Sequence, residues 1–587
     1  MSDDGRTVSL PALTITALML LAACLRFTAL GDRPIGPEEA AEALAAAQGT
    51  SQSSIFYDGI VAQPTSALYH ILTRVVFTLG GAGEGAARAV PAVAGLVPVV
   101  VLLVLRRRIG AIPLLFMALW IAISPAWLAT ARAAGGTALS LAAFAVAAAV
   151  LFTRSPSEGW TAKAWLSLCV GIGVASGPGF LTVVLALFLA RLGSAWLGRG
   201  VAASLPNGWT VRDLAEVGLW SIAIAAAIAS GLGAIPSGLE VLFSGLRAWL
   251  TAWFVPGSLP LLTSILLLAG YEPLVLILGI VGVVQSFRRW DPTQRFLVAW
   301  VVVSLALFLG SVGRQPQDAI WPLLPLGFLA AQVVQREVES ADKMEHPWVA
   351  AGLWAALMVL SGFVGQQLAA YLSGIGPGAD VSLPGLRLPI ALGAIALAGV
   401  VVVLVGFGWD WATARAAGVG AVFAVLLALT VSASWRLNLS GDFDRTAELW
   451  RPRQGATGLV RLRRTLESLA LSQTGTQTFP ISVVGPSTPS LAWALRGFPA
   501  YVPDETGPGR APLALIQREV IPLAPLPAKY LGQSMSLGHA WGWGGSWPPD
   551  LVRWWLRGDA PLIADSWVLY VREDVATLSP TEPESAP

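Results

Sequence analysis

The chain has 587 residues, of which 55% are hydrophobic and only 12% are charged, and its formal net charge is +2. Its mean hydropathy of +0.67 implies more apolar surface than a soluble protein of this length can bury, which indicates a polytopic membrane protein. There is no basic block suited to nucleic acid. Two cysteines and three histidines are too few for a disulfide framework or a histidine-rich metal site.

Apolar segments long enough to cross a membrane recur from the start of the chain. The first lacks a preceding basic region and a small-residue cleavage site, so it predicts a retained span rather than a cleaved signal. At roughly 20 apolar residues per span, about thirteen candidates lie near residues 9–30, 89–105, 111–130, 136–152, 164–177, 179–194, 214–234, 259–286, 296–312, 319–334, 348–371, 387–408 and 416–434. Gly177-Pro178-Gly179 leaves open whether the 164–194 region is one span or two.

The distribution of arginines between these segments predicts an orientation. Clusters such as Arg106-Arg107-Arg108 and Arg288-Arg289 fall on one side, which the positive-inside rule makes cytoplasmic. The N-terminus is then cytoplasmic, and the loops near Arg132 and Arg314 are extracytoplasmic. We therefore expect a multi-pass protein of the cell membrane. The predicted domains are a transmembrane domain (1–435), an extracytoplasmic α/β domain (436–575) and a disordered tail (576–587).

The first outer loop, residues 31–88, is long for a connector and is not uniformly polar. An alanine-rich run over 40–48 and an apolar stretch over 66–79 predict short interfacial helices inside it. The loop 235–258 carries two tryptophans and few charges, which favours a second interfacial segment.

Two adjacent carboxylates, Glu38 and Glu39, stand in the first loop directly before its alanine-rich run. Two interpretations of the pair remain open. Both side chains can belong to the first turn of a helix, where free N–H groups and the helix dipole stabilise negative charge. Alternatively, one of them is a general base or a metal-binding carboxylate, and the neighbouring charge raises its pKa.

The composition after about residue 435 changes and predicts a small α/β domain. Helices are expected over 461–469 and 490–496, and strands over 480–485 and 566–572. This part has no glycine-rich phosphate loop and no nucleophile elbow. A tryptophan-rich cluster, 541–547, either packs the domain onto the membrane face or stacks on sugar rings, and packing is favoured.

Four motifs resemble those of membrane glycosyltransferases with the GT-C fold, the protein O-mannosyltransferase and aminoarabinose transferase type (glycosyltransferase family 39-like). The nearest resemblance is to a prokaryotic flippase-associated subgroup. The matching segments, in chain order, are Arg33-Pro34-Ile35-Gly36-Pro37-Glu38-Glu39-Ala40, Ser124-Pro125 through Arg132, Tyr271-Glu272-Pro273-Leu274, and Arg314-Gln315-Pro316 before Trp321-Pro322-Leu323-Leu324-Pro325-Leu326. The resemblance implies a GT-C-like, α-helical membrane fold with a small extracytoplasmic α/β domain.

It also implies a hexosyl- or pentosyltransferase that moves a sugar from a polyprenyl-phosphate donor to a protein, lipid or glycan acceptor. Glu38 takes the place of the family's acidic base, with Glu39 beside it. Arg132 and Arg314 are the candidates for binding the donor phosphate, because a guanidinium binds phosphate through several donors at once. The alternative is that each arginine only anchors a span end at the interface.

Three further residues are candidates for supporting roles. Glu272 either orients the site or caps a helix, since an acidic group at a span edge needs a partner. Asp58 and His70 lie in the first loop. The composition around Asp58 is that of a turn, so a turn residue is the simpler interpretation of Asp58. For His70 the simpler interpretation is a residue at the membrane interface.

The chain also departs from the family pattern. Gly36 and Pro37 replace residues that are usually histidine or polar, and no carboxylate follows Arg132. The missing carboxylate weakens a two-carboxylate metal site, so no cofactor is assigned, and a divalent metal stays open with weak support. The alternative function is therefore a non-catalytic or diverged scaffold that assists translocation of lipid-linked sugars or assembly of envelope glycans. The nearly charge-free spans argue against a transport path through the membrane.

Overall fold

The computed structural model describes the chain except for residues 1–9, 48–63, 107, 199–207, 235–237, 258, 343, 374–383, 442, 445–447, 477–478, 503–510, 521–527, 543–548, 559–561 and 577–587. Asp58 and most of the 541–547 cluster therefore lie outside the described residues. The helices before residue 440 are Leu10–Phe27, Pro37–Ala47, Ala67–Gly80, Glu84–Ala94, Val97–Leu105, Ala111–Ile123, Pro125–Ala131, Thr137–Thr153, Trp160–Ala175, Pro178–Leu197, Val211–Ala229, Gly238–Thr251, Leu261–Tyr271, Pro273–Ser286, Pro292–Gly310, Ile320–Ala341, Pro347–Ser373, Pro384–Gly408 and Trp411–Asn438.

Six helices among the described residues are long and apolar enough to cross a membrane, or up to eight if two bent pairs each count as one span. The six are Glu84–Leu105, Pro178–Leu197, Pro292–Gly310, Pro347–Tyr371, Gly385–Gly408 and Trp411–Asn438. The chain is thus a multi-pass membrane protein, while the expected number of about thirteen spans stays a prediction. The predicted break in the 164–194 region separates the helices Trp160–Ala175 and Pro178–Leu197, and Gly177 between them adopts φ +122°.

Both bent pairs have a proline directly after the bend. Helix Ala111–Ile123 meets Pro125–Ala131 at 56°, and Leu261–Tyr271 meets the next helix, which starts at Pro273, at 97°. Proline lacks the N–H that would continue the preceding helix, but it fits the first position of a new one. These bends bring the ends of several helices together beneath the first loop.

In its described residues, the first loop contains the helices Pro37–Ala47 and Ala67–Gly80, which pack against each other, and it leads into the span that starts at Glu84. Its acidic pair begins the Pro37–Ala47 helix, as one of the two interpretations expected. The Ala67–Gly80 helix follows Ser66, whose hydroxyl accepts a hydrogen bond from the N–H of Tyr69 at 3.2 Å. The predicted short helices in the loop are thereby confirmed.

Six strands in the described residues of the tail form one sheet. Its strands are β1 (Arg453–Gly455), β2 (Ile481–Val484), β3 (Ala500–Tyr501), β4 (Leu513–Gln517), β5 (Tyr530–Trp541) and β6 (Leu562–Arg572), in the order β1-β5-β6-β4-β2-β3. Strands β2–β3 and β2–β4 are parallel and the other pairs are antiparallel. The tail helices are Thr457–Thr474, Pro489–Ala494, Pro549–Arg557 and Glu573–Ala576. The two strands and two helices expected from the sequence each overlap one of these elements, and the ends differ by one or two residues at the 480–485 strand and the 490–496 helix.

The tail domain docks on the first loop through charged and aromatic groups. The indole N–H of Trp493 donates to Glu84 at 3.0 Å, and Arg496 donates to the carbonyl of Ala82 at 2.6 Å. The Arg496 guanidinium also stacks over Trp493, 3.7 Å from the ring centre. These contacts fix the position of the tail over the loop and therefore of β1 beside Glu38.

Candidate active site

A cavity of about 350 Å³ lies between the first loop, the ends of several membrane helices and the start of the tail. Its polar lining includes Arg33, Glu38, Glu39, Glu42, Thr65, Ser140, Thr182, Ser304, Gln317, Asp318, Arg451 and Arg453. Its apolar lining includes Trp249, Trp253, Leu307, Phe308, Trp321 and Trp450. The combination of carboxylates, guanidiniums and aromatic rings is typical of a site for a polar, partly anionic ligand.

Within the acidic pair, Glu39 is held by surrounding donors. Its carboxylate accepts from Arg33 at 2.8 Å, from Arg88 at 2.9 Å and from the N–H of Ala134 at 3.0 Å. Burial alone would raise the pKa of Glu39, but the two guanidiniums keep that pKa well below its ordinary value. Glu39 is therefore a permanently charged anchor that ties the first loop to two other segments.

Glu38 has the opposite environment. Its side chain is exposed to the cavity, and no hydrogen bond or ion pair from the described residues engages its carboxylate. The recess nevertheless removes much of its bulk water. This burial, followed by the nearby charges of Glu39 and Asp318, raises the pKa of Glu38, and Arg453 partly opposes the rise. A free carboxylate with a raised pKa has the properties of a general base.

Two further carboxylates line the cavity, and neither was a candidate in the sequence. Asp318 lies in the 3₁₀ turn Pro316–Ala319, accepts from the N–H of Gln315 at 2.9 Å, and has its pKa raised to about 6 by burial. One oxygen of Glu42 accepts from the N–H and hydroxyl of Thr65 at 2.8 and 2.6 Å. Burial also raises the pKa of Glu42. The carboxyl groups of Glu38, Glu42 and Asp318 thus line one cavity. The positive charge that compensates them comes mainly from the arginines of the same lining.

Three arginines supply positive charge to the cavity, two of them from the segment that joins the last span to β1. Arg451 donates to the carbonyl of Leu437 at 2.6 Å, and burial lowers its pKa to about 10, so it is protonated at neutral pH. Arg453 is exposed to the cavity at the start of β1, and it makes no hydrogen bond to any described residue. Arg33 completes the set. In the sequence, only the close spacing of Arg451 and Arg453 after a tryptophan could have indicated that these arginines line the site.

The structure does not bring Arg132 and Arg314 to this cavity. Arg132 donates to four main-chain carbonyls at the end of the Leu10–Phe27 helix, those of Leu25, Arg26, Thr28 and Ala29, at 2.7 to 3.2 Å. Arg314 donates to the carbonyls of Leu259 at 3.2 Å and Leu309 at 2.8 Å. The backbone thus engages these donors, and neither guanidinium lines the cavity.

Two of the supporting candidates, Glu272 and His70, also lie outside the cavity lining, and Asp58 is not among the described residues. Buried Glu272 accepts from the indole N–H of Trp120 at 3.0 Å, from the N–H of Ala126 at 3.1 Å and from the hydroxyl of Ser124. It therefore ties the two proline bends together, which corresponds to its capping alternative. His70 is half-buried on the Ala67–Gly80 helix.

The fit to a divalent metal is poor. Within the described part of the chain, no three histidine, cysteine, aspartate or glutamate side chains come close enough to hold an ion. Glu38 and Asp318 both face the cavity, but they lack a third ligand of these types. The described residues that line the cavity therefore do not fit a metal site.

One wall of the cavity is aromatic. Trp249 and Trp253 form an edge-to-face pair with ring centres 6.4 Å apart, and the indole N–H of Trp249 donates to Thr182 at 3.0 Å. Both rings belong to the Gly238–Thr251 helix and the turn after it. Large apolar side chains on the same segment, Phe243 and Phe254, are 67% and 82% exposed. The segment therefore presents rings to the cavity and apolar side chains to its surroundings.

Comparisons with known proteins connect this site to a fold. No protein-family model matches the chain, and a search of curated proteins found no significant match. Among solved structures, the chain is similar to ArnT from Cupriavidus metallidurans in the apo state, with TM-score 0.54 and 15% identity over 98% of this chain and 100% of that one. The same protein bound to undecaprenyl phosphate gives TM-score 0.52 and 15% identity over 86% and 93% of the two chains.

The oligosaccharyltransferase of Archaeoglobus fulgidus is more distant, with TM-score 0.43 and 12% identity over 86% of this chain and 66% of that one. The likeness to ArnT shows that this chain has the GT-C fold found in membrane glycosyltransferases. The fold class expected from the sequence, a helical membrane protein with a small C-terminal sheet, is confirmed.

Proposed function

Starting from the GT-C fold, we propose that this protein is an integral membrane glycosyltransferase that uses a polyprenyl-phosphate-linked sugar as donor and Glu38 as general base. The observation that carries the proposal is the contrast between two adjacent carboxylates. Glu39 is neutralised by Arg33 and Arg88, whereas Glu38 faces the cavity without a partner among the described residues. A carboxylate that stays unpaired, although burial and neighbouring negative charges disfavour its ionised form, is typical of a catalytic group.

In the proposed reaction, Glu38 accepts the proton of the acceptor hydroxyl as the oxygen of that hydroxyl attacks the anomeric carbon of the sugar. A new carbon–oxygen bond forms, and the bond between the anomeric carbon and the phosphate oxygen breaks. The phosphate leaves with the electron pair and keeps its negative charge. Arg453, with Arg451 and Arg33 nearby, stabilises the charge that develops on this leaving group.

Two features support a lipid-linked donor. The structure of ArnT was obtained with bound undecaprenyl phosphate, which is the kind of molecule that we propose here. In this chain the cavity is bordered by Trp249 and Trp253 on a segment whose outer side chains are apolar and exposed. A prenyl chain can leave the cavity along such a border while its phosphate stays near the arginines.

We place the site on the extracytoplasmic face of the cell membrane. The Ile320–Ala341 helix contributes Trp321 of its first turn to the cavity lining and carries Arg336 in its second half. Arg88 near the start of Glu84–Leu105 contacts Glu39, whereas Arg106 follows the end of that span. By the positive-inside rule, Arg106 and Arg336 mark the cytoplasmic side. The division into a membrane domain (1–435) and an extracytoplasmic domain (436–575) belongs to the same proposal, and the acceptor is a protein, lipid or glycan that reaches this face.

A transfer assay with a panel of undecaprenyl-phosphoryl hexoses and pentoses tests the proposal. We expect the purified protein to transfer one of these sugars, and Glu38→Gln to lower the rate by about 10²- to 10⁴-fold. Glu240→Gln is the matched control, because Glu240 is exposed on the Gly238–Thr251 helix outside the cavity. Turnover that survives Glu38→Gln would refute the base assignment. Absence of turnover with every donor would favour a diverged scaffold that assists handling of lipid-linked sugars.

A further inference from the structure

Several buried polar atoms that line the cavity have no hydrogen-bond partner among the described residues. They are the hydroxyls of Ser140 and Ser304, the indole N–H of Trp321 and one carboxylate oxygen of Glu42. The two serines and the tryptophan are at most 2% exposed. We call these four groups the unpaired set. Buried polar atoms of folded proteins are nearly always hydrogen-bonded, so four unpaired atoms around one cavity indicate a polar ligand.

The chemistry of the unpaired set restricts that ligand. The N–H of Trp321 can only donate, the free oxygen of Glu42 can accept, and the serine hydroxyls can do both. A phosphate offers only acceptors and would leave the oxygen of Glu42 without a donor, and a prenyl chain offers neither donors nor acceptors. Sugar hydroxyls offer both on one ring. The unpaired set therefore matches the sugar part of a lipid-linked donor and neither of its other parts.

The backbone keeps this part of the cavity open. Gly179 begins the Pro178–Leu197 helix beside Trp321, and a Cβ atom added there would lie 3.0 Å from Cζ2 and 3.4 Å from the indole nitrogen. Because Trp321 is buried in the core, its ring has little room to move away. Thr65 holds the other oxygen of Glu42 and so orients the unpaired one. Trp321 and Glu42 are thus held in place before a ligand arrives, as in a preformed binding site.

We propose that Glu42, Ser140, Ser304 and Trp321 form the subsite that binds the hydroxyls of the donor sugar. This inference rests on the proposed function, since it names the part of the donor that each region of the cavity holds. Glu38 lies with the acceptor, the arginines hold the phosphate, and the unpaired set selects the sugar. A site built to hydrogen-bond hydroxyls discriminates against analogues that lack them, because its own polar groups are then left unpaired.

The test compares equilibrium binding of undecaprenyl phosphate with that of undecaprenyl-phosphoryl glucose and undecaprenyl-phosphoryl mannose, without acceptor. We expect wild type to bind one glycosylated lipid more tightly than the bare one. Ser140→Ala, Ser304→Ala and Trp321→Phe should each reduce this preference by about 3- to 10-fold, the effect of one hydrogen bond. Their affinity for bare undecaprenyl phosphate should stay unchanged. Gly179→Ala, which crowds the indole without removing it, should act in the same direction.

The chain offers matched controls. Trp300 and Ser482 also carry buried, unpaired polar atoms, but they lie outside the cavity lining. Trp300→Phe and Ser482→Ala should leave the preference for the glycosylated lipid unchanged. A deoxy sugar provides the matching change on the ligand. It should lose affinity in wild type but not in the variant that lacks the partner of the missing hydroxyl.

Three results would overturn the inference: no preference of wild type for either glycosylated lipid, equal weakening of both lipids by the variants, or an equal effect of the controls. Measuring the same preference in Glu38→Gln separates this inference from the proposed function. A lasting preference in a protein that never transfers sugar would refute the transferase and keep the subsite. Transfer that requires Glu38, but with a preference insensitive to the unpaired set, would refute only the subsite.

Discussion

Replacing Glu39 with glutamine should destabilise the protein strongly, whereas the same change at Glu38 should not. Glu39→Gln removes the negative charge that compensates Arg33 and Arg88, whose side chains are 11% and 1% exposed. Removing one partner of a buried ion pair costs about 3–5 kcal/mol, because the other charge stays buried without compensation. We expect a loss of this size in the free energy of unfolding of Glu39→Gln.

The neighbouring substitution is the internal control. Glu38 has no partner to lose among the described residues, and its pKa is raised, which means that the folded state disfavours its charged form. Glu38→Gln should therefore change the free energy of unfolding by less than about 0.5 kcal/mol, or increase it slightly. The two isosteric changes, one residue apart, separate the structural carboxylate from the functional one.

Chemical denaturation of the two variants in the same detergent measures this difference, provided that unfolding is reversible. The reasoning predicts a lower denaturation midpoint for Glu39→Gln and an unchanged midpoint for Glu38→Gln. If both variants were equally stable, or if Glu38→Gln were the less stable one, the assignment of Glu39 as anchor and Glu38 as free base would be refuted.

Further predictions concern the charges around the site and two buried anchors. Asp318→Asn removes a negative neighbour that raises the pKa of Glu38, so the acid limb of the pH–rate profile should move to lower pH. Arg453→Gln removes an opposing positive charge, so the acid limb should move to higher pH. If the two variants shifted the limb in the same direction, or each in the reverse direction, the assignment of Glu38 as the titrating base would be contradicted. Arg132→Gln should lower the free energy of unfolding by about 1–3 kcal/mol in a denaturation assay, because it removes hydrogen bonds to main-chain carbonyls. Its affinity for undecaprenyl phosphate should stay unchanged. Weakened lipid binding would instead support the phosphate role of Arg132. Glu272→Gln places an amide donor among N–H and O–H donors, so it should lower the free energy of unfolding by about 1–3 kcal/mol in the same denaturation assay. A variant as stable as wild type would exclude the anchoring role of Glu272.

The sequence predicted well those features that depend on local pattern. The apolar runs, the short helices of the first loop and the strands predicted over 480–485 and 566–572 follow from composition and periodicity. The position of the acidic pair at the start of a helix follows from Pro37 and the alanine run. These features involve residues that are close along the chain, so a single sequence contains the relevant information.

Different roles for Glu38 and Glu39 did not follow from local pattern. They depend on Arg88, 49 residues after Glu39, and on Arg453 in the tail. Arg132 was a candidate for phosphate because of the family resemblance and the donors of its guanidinium, but these donors bind carbonyls more than 100 residues earlier in the chain. Electrostatic roles of this kind are set by tertiary contacts, which residue type and spacing do not encode.

The number of spans was equally hard to read from hydropathy. Bends at Pro125 and Pro273 break apolar runs that look continuous in the sequence, and the angles of 56° and 97° are set by packing. Buried Glu272 joins these two bends by accepting hydrogen bonds across them. A hydropathy count sees the same residues but not the direction that each helix takes after its proline.

The most direct test of the central claim is a single-turnover measurement of Glu38→Gln and wild type with saturating undecaprenyl-phosphoryl sugar and acceptor, alongside donor affinity in the same samples. The account predicts unchanged donor affinity and a rate of sugar transfer reduced by about 10²-fold or more. A Glu38→Gln variant that transfers sugar at the wild-type rate would contradict it.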